Sequence, residues 1–310
     1  MYRSFFPRFQ KLIGFLWLFL AITGCSLGAP EPTPTITPPL ILGLAISNLD
    51  NPFFVLVQEG AREAAIRLNI QLVIEDAGDD PVLQKSQVES LIAQPVSALL
   101  INPVNSESLA PTIEAANRVG IPVFTVDRAI NSPFVIAHIA SDNVAGGKMA
   151  ADYVSELLQG SGNVVELQGL PGTSAADDRG AGFEQGLTPF SEITIVAQVP
   201  ADFNRQTAET VFAQILAEQP NIDAVFAQND EMILGAIAAA RASGRDNDIF
   251  FVGFDAIDEA IAAMEAGDLD ATIAQQPSEM GRLVVETAFQ HLNGQSVSNL
   301  ILADLALITH

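Results

Sequence analysis

Cysteine occurs once in 310 residues, at Cys25. One thiol excludes an internal disulfide framework and a cysteine-rich metal cluster. Histidine is nearly as scarce, with His138, His291 and His310 at no ligand spacing, so no metal site is expected. The run "EDAGDD" (75–80) does not match a calcium loop and reads as a solvated turn. Cations are few: 14 Lys and Arg against 37 Asp and Glu give a net charge of -23. That balance argues against a nucleic-acid partner, because clustered basic residues supply most of such affinity. No GxSxG is present, and no Ser or Cys visibly pairs with a His, so nucleophilic catalysis has no candidate. The Gly/Pro loop "GLPGTSAADDRGAGF" (169–183) lacks both Gly-Lys-Ser/Thr and GxGxxG, which disfavours a phosphate or dinucleotide cofactor.

Apolar runs long enough to span a bilayer are missing as well. The longest early run, "LIGFLWLFLAI" (12–22), would cover only ~16 Å as a helix, against a hydrocarbon core of ~30 Å. It follows Arg3, Arg8 and Lys11, and no acid precedes Glu31. These features describe a signal peptide over 1–24. "AITGC" resembles a bacterial lipobox, implying cleavage before Cys25 and lipidation of its thiol; an ordinary cleaved signal with an incidental cysteine is the competing reading. Residues 26–39, "SLGAPEPTPTITPP", make a Pro/Thr-rich tether, extended at ~3.1 Å per residue. The expected location is therefore extracytoplasmic, held at a membrane by the lipid anchor alone.

What is present, from residue 40 onward, is a rhythm. Ten apolar runs read as strands: 40–47, 70–76, 97–102, 121–127, 134–141, 162–169, 193–199, 223–229, 249–255 and 271–276. Nearly continuous Val/Ile/Leu/Phe runs suit parallel strands covered on both faces. Helical patterns with Gly stops lie between most of them. Strand–helix alternation predicts doubly wound α/β architecture, and the gap 127–134, too short for a helix, divides it into two lobes.

These runs stop on Ser47, Asn102, Asp127, Ser141, Asn229, Asp255 and Gln275. Ligands of open parallel sheets bind beyond the carboxyl ends of the strands, so this set can converge on one crevice. Turns are polar in any case, so each residue alone has an equally good structural explanation. Short donors and acceptors together suit a small polyol. In "SNLDNPFF", Pro52 fits a first helical position and Asn51 its N-cap, or Asn51 faces the crevice with a phenylalanine ring. Neighbouring rings sit ~100° apart around a helix, so Phe53 and Phe54 cannot both point squarely at a core. Asp127–Arg128 is either a surface turn or a hydroxyl-binding pair. Arg179 falls in the first turns of a helix, and Phe203 in the loop "ADFNR". Asp127 and Asp255 could form a glycosidase carboxylate pair. Arg128 and Arg179 are expected instead to keep both ionised as acceptors, so no enzyme is expected.

"SNLDNPFF", "VDR", "HIASDNVAGGKMAADY", "ELQGLPGTSAADDRGAGF", "ADFNR", "FAQNDEMILGA", "VGFD" and "TIAQQP" together resemble the periplasmic ribose-binding proteins, substrate-binding components of ABC sugar importers. The resemblance runs from about residue 40 to the end. It implies the type I periplasmic binding protein fold, with lobes of 40–141 plus 276–304 and 142–275 plus 305–310, joined by a three-segment hinge. It assigns sugar contacts to Ser47, Asn51, Phe53, Phe54, Asp127, Arg128, Arg179, Phe203, Asn229, Asp255 and Gln275, with Phe53 and Phe203 sandwiching the ring. Asn102 is not among the family's contacts. D-ribose is the implied ligand, with allose, xylose or galactose as alternatives. The implied partner is a membrane permease, or a chemoreceptor or kinase in a sensing role, and the implied state is a monomer without a cofactor. Asp177 stands where relatives often carry a basic residue, beside the contact position.

Overall fold

The computed structural model describes residues 40–309. The signal segment 1–24, Cys25 and the tether lie outside the described residues. Among the described residues no helix is long and apolar enough to cross a membrane.

The first sheet has the order β11-β5-β4-β3-β1-β2. Its strands are β1 (Ile41–Ile46), β2 (Gln71–Asp76), β3 (Ala98–Ile101), β4 (Val123–Val126), β5 (Val135–Ser141) and β11 (Leu300–Ala303). All its pairings are parallel. It carries α1 (Pro52–Arg67), α2 (Pro81–Ile92), α3 (Ala110–Arg118) and α9 (Pro277–Leu292). The second sheet has the order β12-β10-β9-β8-β6-β7. It contains β6 (Ser161–Gln168), β7 (Glu192–Pro200), β8 (Ala224–Ala227), β9 (Phe250–Asp255), β10 (Ala271–Ala274) and β12 (Ala306–Thr309). Here α4 (Asn143–Leu157), α5 (Ser174–Leu187), α6 (Arg205–Glu218), α7 (Asp230–Ser243) and α8 (Asp258–Glu265) cover the faces. The molecule is thus two doubly wound α/β lobes. Central strands such as β3, β4 and β8 are buried at every position, which is why their sequences are continuous apolar runs rather than alternations.

Local chemistry sets the helix starts. Asp80, Asp142, Thr173, Asn204 and Asn229 each accept a backbone N–H from the first turn of the helix they precede. Pro occupies the first turn of α1, α2 and α9, where its missing N–H leaves no helical bond unmade.

All ten expected strands form, and two more close the sheets. β11 and β12 come from the stretch "LILADLALIT", where two residues separate strands that join different sheets. Composition alone does not part its halves; the boundary at 304/305 implied by the resemblance does. β12 runs antiparallel to β10, the one exception to parallel pairing in either sheet. The chain crosses between lobes after β5, after β10 and between β11 and β12; the gap 127–134, expected from the sequence to part the lobes, instead joins the neighbouring parallel strands β4 and β5 of the first sheet. The first two crossings are tied together by Ser141 Oγ donating to Gln275 Oε1 at 2.7 Å.

His138, on β5, shows what burial costs an ionisable group in this fold. Burial pushes its pKa down to about 4, although its Nδ1 lies 2.9 Å from Thr125 Oγ1. The native imidazole is neutral, whereas the unfolded one gains a proton below its ordinary value of ~6.5. Between those values the unfolded chain binds more protons, so stability falls as pH falls, by about 3 kcal/mol at most. Urea unfolding at pH 7 and pH 4.5 should therefore show a larger loss for the unaltered chain than for His138→Gln. Equal losses would remove His138 from the account.

Candidate functional site

Between the lobes lies a small cavity. The first lobe contributes Asn51, Phe53, Phe54, Asp127 and Arg128, from the start of α1 and the end of β4. The second contributes Ala175 and Arg179 from α5, Phe203 from the β7–α6 loop, Asn229 from the start of α7 and Asp255 from the end of β9. Gln275 stands at the crossing after β10. Ten of the eleven contact residues expected from the resemblance line it.

Ser47 is the exception. Its Oγ donates to Asn102 Oδ1 at 2.6 Å, and it is not among the lining residues. Asn102 in turn donates through Nδ2 to Asp127 Oδ2 at 3.3 Å. These two fully buried side chains hold the Asp127 carboxylate from behind. Polar strand ends thus divide into those that face the cavity and those that brace them, a distinction one sequence does not carry. Ala175 was missed: a small residue in a helix gives no signal until a cavity is built beside it.

Asn51 both caps a helix and lines the cavity. Its Oδ1 caps α1, accepting from Phe53 N at 2.9 Å. Phe53 and Phe54 are both buried, edge to face with centroids 5.3 Å apart, and both serve as core and as cavity wall. The expectation that one ring must leave the core was too strict, because here the core itself borders the cleft.

Arg179 is fixed on three sides. Nε donates to Asn143 Oδ1 at 2.8 Å, Nη1 donates to the Gln228 carbonyl at 2.6 Å, and Cζ sits 3.9 Å from the Phe254 ring centroid. Its Nη1 lies 3.8 Å from Asp255 Oδ1, and Gln275 Nε2 donates to that same oxygen at 2.7 Å. Neither Asn143 nor Gln228 was anticipated; Gln228, next to Asn229 at a strand end, carried the only available hint. Arg128 is held less completely. Nη1 reaches the Pro103 carbonyl at 3.4 Å, while Nε is buried without a hydrogen-bond partner, 3.8 Å from Asp127 Oδ2. Its Cζ stands 5.1 Å from the Phe54 ring and 5.3 Å from the Phe203 ring.

Burial pushes the Asp127 and Asp255 carboxyls upward, and the neighbouring arginines offset this only in part. The sequence-based expectation gave the arginines the larger effect. Both carboxyls are almost wholly removed from water, and that desolvation outweighs guanidiniums nearly 4 Å away. Two guanidiniums, two carboxyls and three side-chain amides give the cavity both donors and acceptors, suited to a guest rich in the same. Among the described residues no cluster of His, Cys, Asp and Glu could hold a metal ion.

Comparison with known proteins gives a consistent picture. A family model described as periplasmic binding protein domain matches residues 42–296. The ribose import binding protein of Haemophilus influenzae is 42% identical, over 86% of this chain and 91% of that one. The protein of the same name from Bacillus subtilis is also 42% identical, over 95% of this chain and 96% of its own. Among solved structures, an ABC transporter solute-binding protein of Bacillus halodurans with bound myo-inositol superposes with a TM-score of 0.83 at 31% identity, covering 87% of this chain and 94% of that one. Two α/β lobes around a polar, aromatic-walled cavity, and matches spanning nearly all the described residues, place this chain in the periplasmic binding protein family.

Proposed function

We propose that this chain captures a neutral monosaccharide, D-ribose, between its lobes and delivers it to the permease of an ABC importer. The observation that carries the reading is the convergence, from both lobes, of two carboxyls, two guanidiniums, three side-chain amides and three phenylalanine rings on one small cavity. Buried donors and acceptors are costly to leave unpaired, and sugar hydroxyls answer both. In this reading Asp127, Arg128, Arg179, Asn229, Asp255 and Gln275 bond the hydroxyls, Asn51 offers its amide N–H, and Phe53 and Phe203 cover the C–H faces of the ring, with Phe54 behind. The ribose importers among the relatives, by name and by near-complete mutual coverage, support it.

The lobes, 40–141 with 276–304 and 142–275 with 305–310, close about the three crossings. A ligand shifts such an equilibrium only by binding the closed form better, and bonds to both lobes at once provide that difference. Direct lobe-to-lobe bonds help: Ala129 N donates to Ser174 Oγ at 2.8 Å, and Ser174 N to Ser106 Oγ at 3.2 Å. The chain acts as a monomer outside the cytoplasm, anchored through a lipid on Cys25 and spaced by its Pro/Thr-rich tether.

Calorimetry with D-ribose, D-allose, D-xylose, D-galactose and myo-inositol tests the ligand. D-ribose should bind at least about tenfold more tightly than the others, since an inverted or missing hydroxyl leaves a buried group unpaired. Tighter binding of another sugar would reassign the ligand within the same site. No heat with any of them would end the sugar reading.

A further inference from the structure

We propose that Asp230 and Thr272, which do not line the cavity, are positioning residues that hold Asp255 in its ligand-facing conformation; the inference rests on the sugar-binding reading above. Asp255 ends β9 with φ at +122°, and Ala256 follows at +58°. Neither value is a region where a side chain other than glycine settles readily, and such conformations persist only where the surroundings over-determine them. The surroundings here are specific. Ala256 N donates to Thr272 Oγ1 at 3.2 Å, and Thr272 Oγ1 donates onward to Asp230 Oδ1 at 2.8 Å. Ile257 N donates to Asp230 Oδ2 at 3.0 Å. The two N–H groups immediately after Asp255 are thus clamped by one carboxylate–hydroxyl pair, both of whose residues are fully buried.

The clamp draws on three separate elements. Thr272 lies on β10, paired with Gly253 of β9. Asp230 opens α7, directly after the lining residue Asn229. Its carboxylate comes so close to β9 that a Cβ at Gly253 would stand 2.2 Å from Oδ1, so only glycine permits the approach. Gln275 reaches the Asp255 side chain and, through its backbone N–H at 3.5 Å, the Asp255 carbonyl, while Arg179 reaches the side chain alone; neither meets the N–H groups of Ala256 and Ile257. Without the clamp those two N–H groups lose their acceptors, only the long Gln275–Asp255 backbone bond still holds the positive φ values, and the carboxylate swings away from the cavity.

Calorimetry with D-ribose on the full chain tests this. Thr272→Val keeps the side-chain shape, removes the acceptor for Ala256 N and should weaken ribose at least about tenfold. Thr272→Ser, which restores the hydroxyl, should bind within about threefold of the unaltered chain. A merely structural role would lower the melting temperature of Thr272→Val and leave its affinity within about twofold, and that result would overturn the inference. A Thr272→Ser chain as weak as Thr272→Val would overturn it too. Should the valine chain not fold, Asp230→Asn serves in its place: it sets an amide NH2 against backbone donors and should show the same loss, unchanged affinity being the refuting result. An unaltered chain that bound no ribose would overturn the sugar reading and this inference with it.

Discussion

Arg179→Ala is expected to abolish ribose binding, lowering affinity by about a thousandfold or more. Three losses combine. The guanidinium no longer donates to the ligand. Asp255 is left buried with its nearest cation, 3.8 Å away, removed. The Asn143 side chain and the Gln228 carbonyl lose a buried donor at 2.8 and 2.6 Å. Breaking a buried ion pair by removing one partner costs about 3–5 kcal/mol, some of it in folding stability. Every 1.4 kcal/mol that falls on binding is about tenfold. Titration with D-ribose, beside a melting curve without ligand, separates the two shares. Arg179→Lys should recover little, because one ammonium cannot reproduce a fork that reaches Asn143, Gln228 and the cavity together. An alanine chain that bound ribose within tenfold of the unaltered one would refute the site.

Gly169→Ala should cost about 10- to 100-fold in affinity with little loss of fold stability. A Cβ at Gly169 would lie 2.0 Å from Phe203 Cζ and within 2.5 Å of two more ring carbons. No positive φ is required at Gly169, so the backbone tolerates alanine and the aromatic ring is what must move. Phe203 has φ at +56°, and its carbonyl accepts from Asn229 Nδ2 at 3.4 Å. With the backbone held, the ring pivots away from the cavity. Losing one buried aromatic face is worth roughly 1.5–3 kcal/mol, which sets the range. The cause is checked in a Phe203→Ala background, where Gly169→Ala should change affinity no further. An equal loss in that background, or none in either, would show that Gly169 does not set the ring.

Much of this was legible in one dimension. Central strands such as β1, β3 and β8 follow from continuous apolar runs, because a strand covered on both faces has no polar side to show, and the half-exposed edge strands β2 and β7 carry enough of the same pattern to be read. The cap of α1 follows from Asn51–Pro52. The strand ends that meet at the cavity follow from polar residues closing apolar runs; the residues themselves offered Asn51, the phenylalanine pair, Arg128, Arg179 and Phe203 as candidates, and the resemblance chose between their alternatives. The physical reading alone also chose Asn102, which turned out to brace Asp127 rather than face the cleft. It weighted the arginines above desolvation at Asp127 and Asp255, because a sequence shows charges and not the water removed from them.

By itself, then, the sequence determined the two α/β lobes, the capped helix bearing the phenylalanine pair, and the residue types that would gather at the strand ends. Hydrophobic burial and capping are local in chain distance, so their pattern is written along the chain. The tertiary structure alone decided that Ser47 stands behind the site and that Asp230 and Thr272 clamp the turn after Asp255. Each of these depends on a contact between segments far apart in sequence, whose free energy comes from the neighbours that folding supplies.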